Sequence, residues 1–284
     1  MANGHESIPG AAACGAARPG QRRLTTLLTA VGLGALLLTG CGGQSGGGDA
    51  SASSSQGGGG EKTLRVSAAA SLTTSFDQLS DEFEKGHPGV TVDVNYGGSS
   101  GLVQQLIEGA AADVFASADQ KNMKKLMDAD LAQGDPKIFA TNVLTLVVPR
   151  DNPAGIESFQ DVVDKDVKLV TCAPEVPCGA ATKKVEKADG VELKPVSQEN
   201  AVTDVLGKVT SGQADAGIVY VTDAKSAGDK VTSIDIPKTD EAVNNYPVVA
   251  LKKSEQPQLA TEFVDLVTGE RGQEVLKDAG FGAP

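Results

Sequence analysis

A serine stands in the sequence pattern of a hydrolase nucleophile. Residues 97–101, Gly-Gly-Ser-Ser-Gly, match G-x-S-x-G, the turn that presents a nucleophilic serine between a strand and a helix, with Ser99 at the reactive position. The histidine base of that motif follows the serine along the chain. No histidine follows Ser99, and His87 precedes it. A secreted serine esterase therefore lacks its base and is kept only as a minor alternative.

Two cysteines bracket a short loop further along the chain. Cys172 and Cys178 enclose Ala-Pro-Glu-Val-Pro. Two thiolates without further cysteine or histidine partners make a poor zinc site, and a nucleophilic Cys178 would lack a base just as Ser99 does. The leader sequence described below directs the chain to an oxidising compartment, where disulfides persist, so we expect a disulfide between the two cysteines. Closing so short a loop would contribute about 2 kcal/mol to stability.

Small and hydroxyl residues recur where predicted strands run into predicted helices. The four junctions are Ala69-Ala70-Ser71, residues 97–100, Pro177-Cys178-Gly179 and the segment leading into Val202. A helix N-terminus leaves backbone N–H groups unpaired and carries about half a positive charge. Four converging ends could therefore hold a dianion without a lysine. The alternative is that Ser71 and Ser99 only cap their helices, and the recurrence of the pattern is what favours a binding site.

The composition limits the classes of partner. The 284 residues include 25 Lys and Arg against 37 Asp and Glu, a formal net charge of −12. Such an acidic chain is a poor candidate for nucleic-acid binding, which needs a basic face to neutralise phosphates. Its 2 histidines are too few for a histidine-rich metal site.

The first 60 residues differ from the rest. A positively charged flank precedes an apolar run over residues 24–38, which is too short to span a membrane and ends at Thr39-Gly40-Cys41. This ending resembles the lipobox of bacterial lipoproteins. The resemblance implies that residues 1–40 are a signal peptide and that Cys41 carries lipid. Residues 42–60 are nearly all Gly, Ser, Ala and Gln with no apolar periodicity, so we expect residues 41–60 to form a flexible Gly/Ser tether. We therefore expect an extracytoplasmic protein anchored to the outer face of the cell membrane; an ordinary signal peptide with an incidental Cys41 is the alternative.

From residue 61 onward, strand-like and helix-like segments alternate, as in parallel α/β proteins. The predicted strands cover residues 63–69, 90–96, 113–117, 143–149, 168–171, 216–221, 231–236 and 246–251. The predicted helices cover residues 72–85, 102–107, 119–127, a segment after Pro177, 202–211 and 257–279. If the chain forms two lobes, we expect it to cross between them near Val143 and Ile236.

Taken together, these junctions resemble those of the molybdate-binding proteins of bacterial ABC importers. The matching segments are residues 68–72, Ser99-Ser100, 112–120, 176–179, 214–220 and Tyr246-Pro247-Val248. The resemblance covers residues 61–284 and implies an α/β, two-lobed periplasmic-binding-protein type II fold, each lobe a mixed, mainly parallel sheet flanked by helices, with the ligand in the cleft between them. Residues 61–142 and 237–284 would form lobe I, and residues 143–236 would form lobe II.

The resemblance also implies a set of ligand contacts. Carried over by position, the oxyanion contacts fall on Ser71 and Ser99 through hydroxyl and N–H, on the N–H groups of Cys178 and Val202, and on the Tyr220 hydroxyl. Cys178 replaces a common alanine of the family, and an apparent insertion at Ala201 makes Val202 the least secure of these contacts. Without the resemblance, Tyr220 would be read as a core or lobe-interface aromatic.

The implied function is binding without chemistry on the ligand. The chain is expected to be a monomer that captures molybdate, and tungstate as well, without a cofactor, molybdenum being bound only as its oxyanion. The permease of an ABC importer is the expected partner. The same fold binding sulfate or another tetrahedral oxyanion, and a surface-anchored adhesion or sensor protein, are the alternatives.

Overall fold

The computed structural model describes residues 61–284. The predicted signal peptide, Cys41 and the tether lie outside the described residues. Within residues 61–284, two five-stranded sheets are each flanked by helices. This arrangement confirms the predicted α/β class and its two lobes.

The first sheet combines parallel strands from the start of the described region with one strand from near its end. Its strands are β1 (Lys62–Ala69), β2 (Val90–Gly97), β3 (Val114–Ala116), β4 (Lys137–Asn142) and β10 (Asn244–Ala250), in the order β2-β1-β3-β10-β4. β1 pairs in parallel with β2 and β3, whereas β10 is antiparallel to both β3 and β4. The valines of the edge strand β2 alternate with exposed polar residues, as expected where one face is covered and the other wet.

The second sheet is built from one continuous stretch of chain. Its strands are β5 (Leu144–Pro149), β6 (Leu169–Cys172), β7 (Ser197–Glu199), β8 (Ala216–Tyr220) and β9 (Val231–Ile234), in the order β7-β6-β8-β5-β9. β6, β7 and β8 are parallel, and β5 runs against them. The carboxyl ends of the parallel strands therefore share one edge in each sheet, which is where loops of open α/β sheets hold ligands.

Helices cover both sheets. The helices around the first sheet are α1 (Thr73–Gly86), α2 (Ser99–Ile107), α3 (Gln120–Asp128), α8 (Pro257–Thr268) and α9 (Glu270–Ala279). Those around the second are α4 (Phe159–Asp164), α5 (Pro177–Asp189), α6 (Val202–Thr210) and α7 (Val221–Ala227). Phe76 of α1 packs against Phe139 and edge-on against Phe263 of α8 in the first core, whereas the second core is mainly aliphatic.

Two segments cross between the sheets. Val143 joins β4 to β5, and residues 235–243 join β9 to β10. Asn142 and Asn244, at the ends of the crossing strands, are opposite each other in the antiparallel ladder. Movement of one lobe against the other would therefore bend the chain close to this pair.

Some elements differ from the sequence prediction. The helix predicted over residues 257–279 is two helices, because Gly269 is extended with φ −79° and ψ 177°. β4, β7, α4 and α7 were not predicted. β7 is the polar tripeptide Ser-Gln-Glu and has no apolar alternation, so only its pairing with β6 makes it a strand.

A disulfide joins Cys172 and Cys178, whose Cα atoms lie 5.8 Å apart.

Among residues 61–284, no helix has both the length and the apolar character needed to cross a membrane. In the same residues, no three His, Cys, Asp or Glu side chains are grouped so that they could hold a metal ion.

Candidate functional site

A small cavity lies between the two lobes, at the carboxyl ends of their parallel strands. The space between its wall atoms is about 200 Å³, part of which is open to solvent. Its lining residues are Ala69, Ala70, Ser71, Gly97, Gly98, Ser99, Ala118, Val176, Pro177, Cys178, Val202 and Tyr220. All five residues carried over from the family pattern are in this set, and none of the lining residues is charged.

Three helices begin at the cavity wall. α2 starts at Ser99, α5 at Pro177 and α6 at Val202. The N–H groups of Ser99, Cys178 and Val202 lie in first turns, where the helix itself offers no carbonyl acceptor. Each helix end also carries about half a positive charge. The cavity therefore attracts an anion without any lysine or arginine in its wall.

The Ser99 hydroxyl is held so that it can donate to a ligand. Ser99 is only 1% exposed, and its Oγ accepts a hydrogen bond from the Ala118 N–H at 3.0 Å. A backbone N–H can only donate, so the oxygen of Ser99 is the acceptor in that bond. The Ser99 proton remains available for a group in the cavity.

The Tyr220 hydroxyl is arranged in the same way. Its oxygen accepts a hydrogen bond from Asn244 Nδ2 at 2.9 Å, and its ring is 1% exposed. Burial raises the pKa of Tyr220 well above its usual value of 10.0. Tyr220 is therefore a neutral donor at physiological pH, with its own proton not used in the bond to Asn244.

Ser71, in the cavity wall, is held from behind by hydrogen bonds through Tyr246 and Asn142. Asn142 Nδ2 donates to the Tyr246 hydroxyl at 3.4 Å, and Tyr246 lies 2.9 Å from Ser71 Oγ. Either hydroxyl can donate in this pair, because a phenol oxygen that accepts from Asn142 can accept a second hydrogen bond from Ser71. The amide of Asn142 is oriented by the Val143 N–H, which donates to Asn142 Oδ1 at 3.0 Å.

The lobes touch at the mouth of the cavity. A Cβ added to Gly98 would stand 2.0 Å from the carbonyl oxygen of Asn200, on the loop before α6. Only glycine permits this approach, because real Cβ contacts are never so short. The loop before α2, in the first lobe, therefore lies directly against the loop before α6, in the second lobe.

A second glycine brings the start of α5 against the preceding loop. A Cβ at Gly179 would stand 2.0 Å from the carbonyl oxygen of Ala173. The Cys172–Cys178 disulfide closes the same loop covalently. Together they fix the N–H groups of the first turn of α5 in the cavity wall.

One buried carboxyl lies beside the site. Asp223 is 4% exposed, and its Oδ2 accepts from the Tyr220 N–H at 3.0 Å at the start of α7. Burial raises the pKa of Asp223 to about 7. This carboxyl is therefore partly protonated near neutral pH.

The capping interpretation of the two serines is wrong. Gly98 is the N-cap of α2, no side chain bonds to that helix end, and Ser99 is the first helical residue. Ser71 lies in a 3-10 turn over Ala70–Leu72 whose N-cap is Ala69. Both hydroxyls are instead engaged across the fold, by Ala118 and Tyr246.

Four residues that support the candidate contacts were not singled out from the sequence: Ala118, in the cavity wall, and Asn142, Asn244 and Tyr246, behind it. Tyr246 and Ala118 fall in the matching segments, but an asparagine at the end of a strand gives no signal of its own. His87 is half-buried: its ring stacks on Phe83, and its Nε2 lies 2.9 Å from Glu262 of α8.

The described region matches known proteins along nearly its whole length. A family model described as bacterial extracellular solute-binding protein matches residues 64–282. The molybdate-binding protein ModA of Mycobacterium tuberculosis is 47% identical over 223 residues, which cover 78% of this chain and 85% of the relative. The putative ABC transporter substrate-binding lipoprotein YvgL of Bacillus subtilis is 35% identical, covering 78% of this chain and 86% of the relative.

A solved structure shares the architecture. The substrate binding domain of a putative molybdenum ABC transporter from Clostridium difficile superposes with a TM-score of 0.59 at 31% identity, covering 78% of this chain and 99% of that one. This likeness supports the predicted two-lobed periplasmic-binding-protein fold.

Proposed function

Because the chain belongs to the bacterial extracellular solute-binding protein family, we propose that it captures molybdate outside the cytoplasm and delivers it to an ABC importer. Proteins of this family bind a ligand and do not transform it, so the esterase alternative is set aside and no cofactor is needed. One observation supports molybdate capture above the others: the cavity wall combines three helix N-termini with the hydroxyls of Ser99 and Tyr220, whose oxygens already accept hydrogen bonds, and with the hydroxyl of Ser71.

The donor set suits a tetrahedral dianion that has lost all its protons. Ser71, Ser99 and Tyr220 offer hydroxyl protons, and Cys178 and Val202 offer backbone N–H groups. Each hydrogen bond from a neutral donor to a charged oxygen contributes about 1.5 to 3 kcal/mol. These five residues are our proposed ligand contacts, and they come from both lobes.

Capture and release follow from the two lobes. We propose that residues 61–142 and 237–284 form lobe I, that residues 143–236 form lobe II, and that the two lobes move about the crossing segments. Each proposed lobe contains the strands of one sheet. A ligand held by both lobes favours the closed form. An importer would then recognise the closed protein and leave the open one unbound.

Size is the proposed basis of selectivity. Molybdate, tungstate and sulfate share charge and shape, so a rigid cavity separates them by radius. Tungstate is nearly isosteric with molybdate and is expected to bind as well, whereas sulfate would leave part of the donor set out of reach.

Titration of the mature chain tests this function directly. We would express residues 41–284 with Cys41→Ser and measure binding of molybdate, tungstate and sulfate by calorimetry. Thermal unfolding gives a second reading, since a ligand at 100 times its dissociation constant adds about 2.7 kcal/mol. Binding of molybdate and tungstate well above that of sulfate supports the proposal; a response to sulfate alone contradicts it and favours a sulfate carrier.

The lipid anchor and monomeric state are part of the proposal. A relative described as a lipoprotein, YvgL, is consistent with lipid on Cys41. Fractionation of cells expressing the full chain should place it with the membrane, and Cys41→Ser should release it. Gel filtration of the mature chain should give the mass of one copy.

A further inference from the structure

A continuous chain of hydrogen bonds joins a hydroxyl of one lobe to a hydroxyl of the other. The Ala118 N–H donates to Ser99 Oγ at 3.0 Å, and the Ala118 carbonyl accepts from Asn244 Nδ2 at 2.7 Å. The same nitrogen donates to the Tyr220 hydroxyl at 2.9 Å. The chain thus runs from α2, through the crossing strand β10, to the end of β8.

The direction of every bond in this chain is fixed. The Ala118 carbonyl can only accept, so the amide of Asn244 must turn its NH₂ group and not its oxygen toward it. The second proton of that NH₂ group then goes to Tyr220, whose oxygen accepts it. Asn244 is 5% exposed, so water does not compete freely for these bonds.

We propose that Asn244 is a positioning residue for oxyanion capture, which makes the Tyr220 hydroxyl a donor toward the ligand and holds it in register with Ser99. This inference rests on the proposed function. Without the amide, the oxygen of Tyr220 loses its donor, and the hydroxyl can rotate away from the cavity to donate elsewhere. Asn244 acts through Tyr220, and so it is not itself a ligand contact.

The neighbouring residue supplies a matched control. Asn245 lies on the same strand but faces the other way, and its amide approaches Gln120 at 3.4 Å. It takes no part in the chain from Ser99 to Tyr220. Asn245→Leu therefore repeats the loss of an amide in β10 without touching the proposed role.

A double-mutant cycle tests the proposal. We would measure molybdate affinity for Asn244→Leu, Tyr220→Phe and the double variant in the mature chain. Asn244→Leu and Tyr220→Phe should each weaken binding about tenfold or more. The double variant should bind about as weakly as the weaker single variant, because both changes remove the same donated proton.

Two results would overturn the role of Asn244. One is a double variant whose loss equals the product of the two single losses, which is what independent structural damage produces. The other is an Asn244→Leu variant that binds as tightly as Asn245→Leu. If Asn244→Leu shows no cooperative thermal transition, Asn244→Ser replaces it in the cycle, because one hydroxyl proton cannot serve both Ala118 and Tyr220.

The wild-type titration separates this inference from the function on which it rests. If wild-type protein binds sulfate and not molybdate, the proposed function fails and the cycle is run with sulfate. Non-additive loss of sulfate affinity would still support the role of Asn244, whereas additive loss would overturn it.

Discussion

The backbone at Gly98 and the carbonyl oxygen of Asn200 meet so closely that a methyl group on Gly98 would lie 2.0 Å from that oxygen. The contact joins the two lobes at the edge of the candidate oxyanion cavity. Neither side of it can yield easily, since the contact is with backbone and not with a flexible side chain. A side chain at position 98 would therefore push the two loops apart.

Gly98→Ala should hinder closure and weaken molybdate binding about tenfold or more, because the ligand could no longer reach donors in both lobes. Calorimetry measures the affinity, and small-angle scattering with ligand should show a more open molecule than the wild type. Gly101→Ala is the control, since a Cβ there meets nothing within 4 Å. Equal molybdate affinities for the two variants would contradict the proposed importance of the contact between Gly98 and Asn200.

Ser99→Ala should weaken binding by roughly 1.5 to 3 kcal/mol, the contribution of a donor to a charged oxygen. It also leaves the buried Ala118 N–H without its acceptor, so some loss of stability is expected. Ser100→Ala, one residue further into α2, serves as the comparison in both calorimetry and thermal unfolding. Unchanged affinity in Ser99→Ala would remove that hydroxyl from the ligand contacts.

Opening the disulfide should lower stability more than affinity. Replacing Cys172 and Cys178 together by alanine removes a short covalent loop worth about 2 kcal/mol, and a fall in Tm of roughly 4 to 8 °C follows for a chain of this size. Affinity should change less, because the proposed contact at position 178 is a backbone N–H. Reductant should lower the Tm of the wild type toward that of the variant and leave the variant unaffected; a wild type indifferent to reductant would refute this.

Asp223 should make stability fall as pH rises from about 4 to about 7. Its pKa is raised from 3.8 to about 7 by burial, so in this range the folded protein holds a proton that the unfolded chain releases. The decrease in the free energy of unfolding is complete above the pKa of Asp223 in the folded protein and amounts to at most about 4 kcal/mol.

Asp223→Asn isolates this effect from other titrating groups. The asparagine oxygen can still accept from the Tyr220 N–H, and no charge is buried. Denaturant unfolding at several pH values should show the variant gaining on the wild type as pH rises through this window. A constant difference between the two proteins would rule out a titrating Asp223.

Much of the architecture follows from the sequence, because the periodicities of helices and strands are set by residues close together in the chain. The helical spacing of Phe76, Leu79 and Phe83 indicates one buried face of α1. The alternation of apolar and polar residues indicates one covered face of β2. The convergence of the loops at one edge also follows, since parallel strands put their carboxyl ends together. The break at Gly269 was missed because the apolar pattern continues on both sides of it.

The supporting shell of the site could not be predicted in this way. Asn142 and Asn244 are 102 residues apart, and only the β4–β10 ladder makes them partners. Ser71 and Ser99 have the composition of helix caps, but small neighbours took that place and left the hydroxyls free to engage Tyr246 and Ala118. Such choices depend on tertiary contacts that no local pattern records.

The position of β10 between β3 and β4 governs the order in which the molecule can assemble. The second sheet is encoded by one uninterrupted stretch, so it can form as soon as that stretch is available. β10 is the fourth strand in the order across the first sheet, and it can join only after residue 250 has emerged from the ribosome or the export channel. Asn244 and Tyr246, the two β10 residues that hydrogen-bond to Tyr220 and Ser71 of the cavity wall, therefore take their places only after that late strand has joined the sheet.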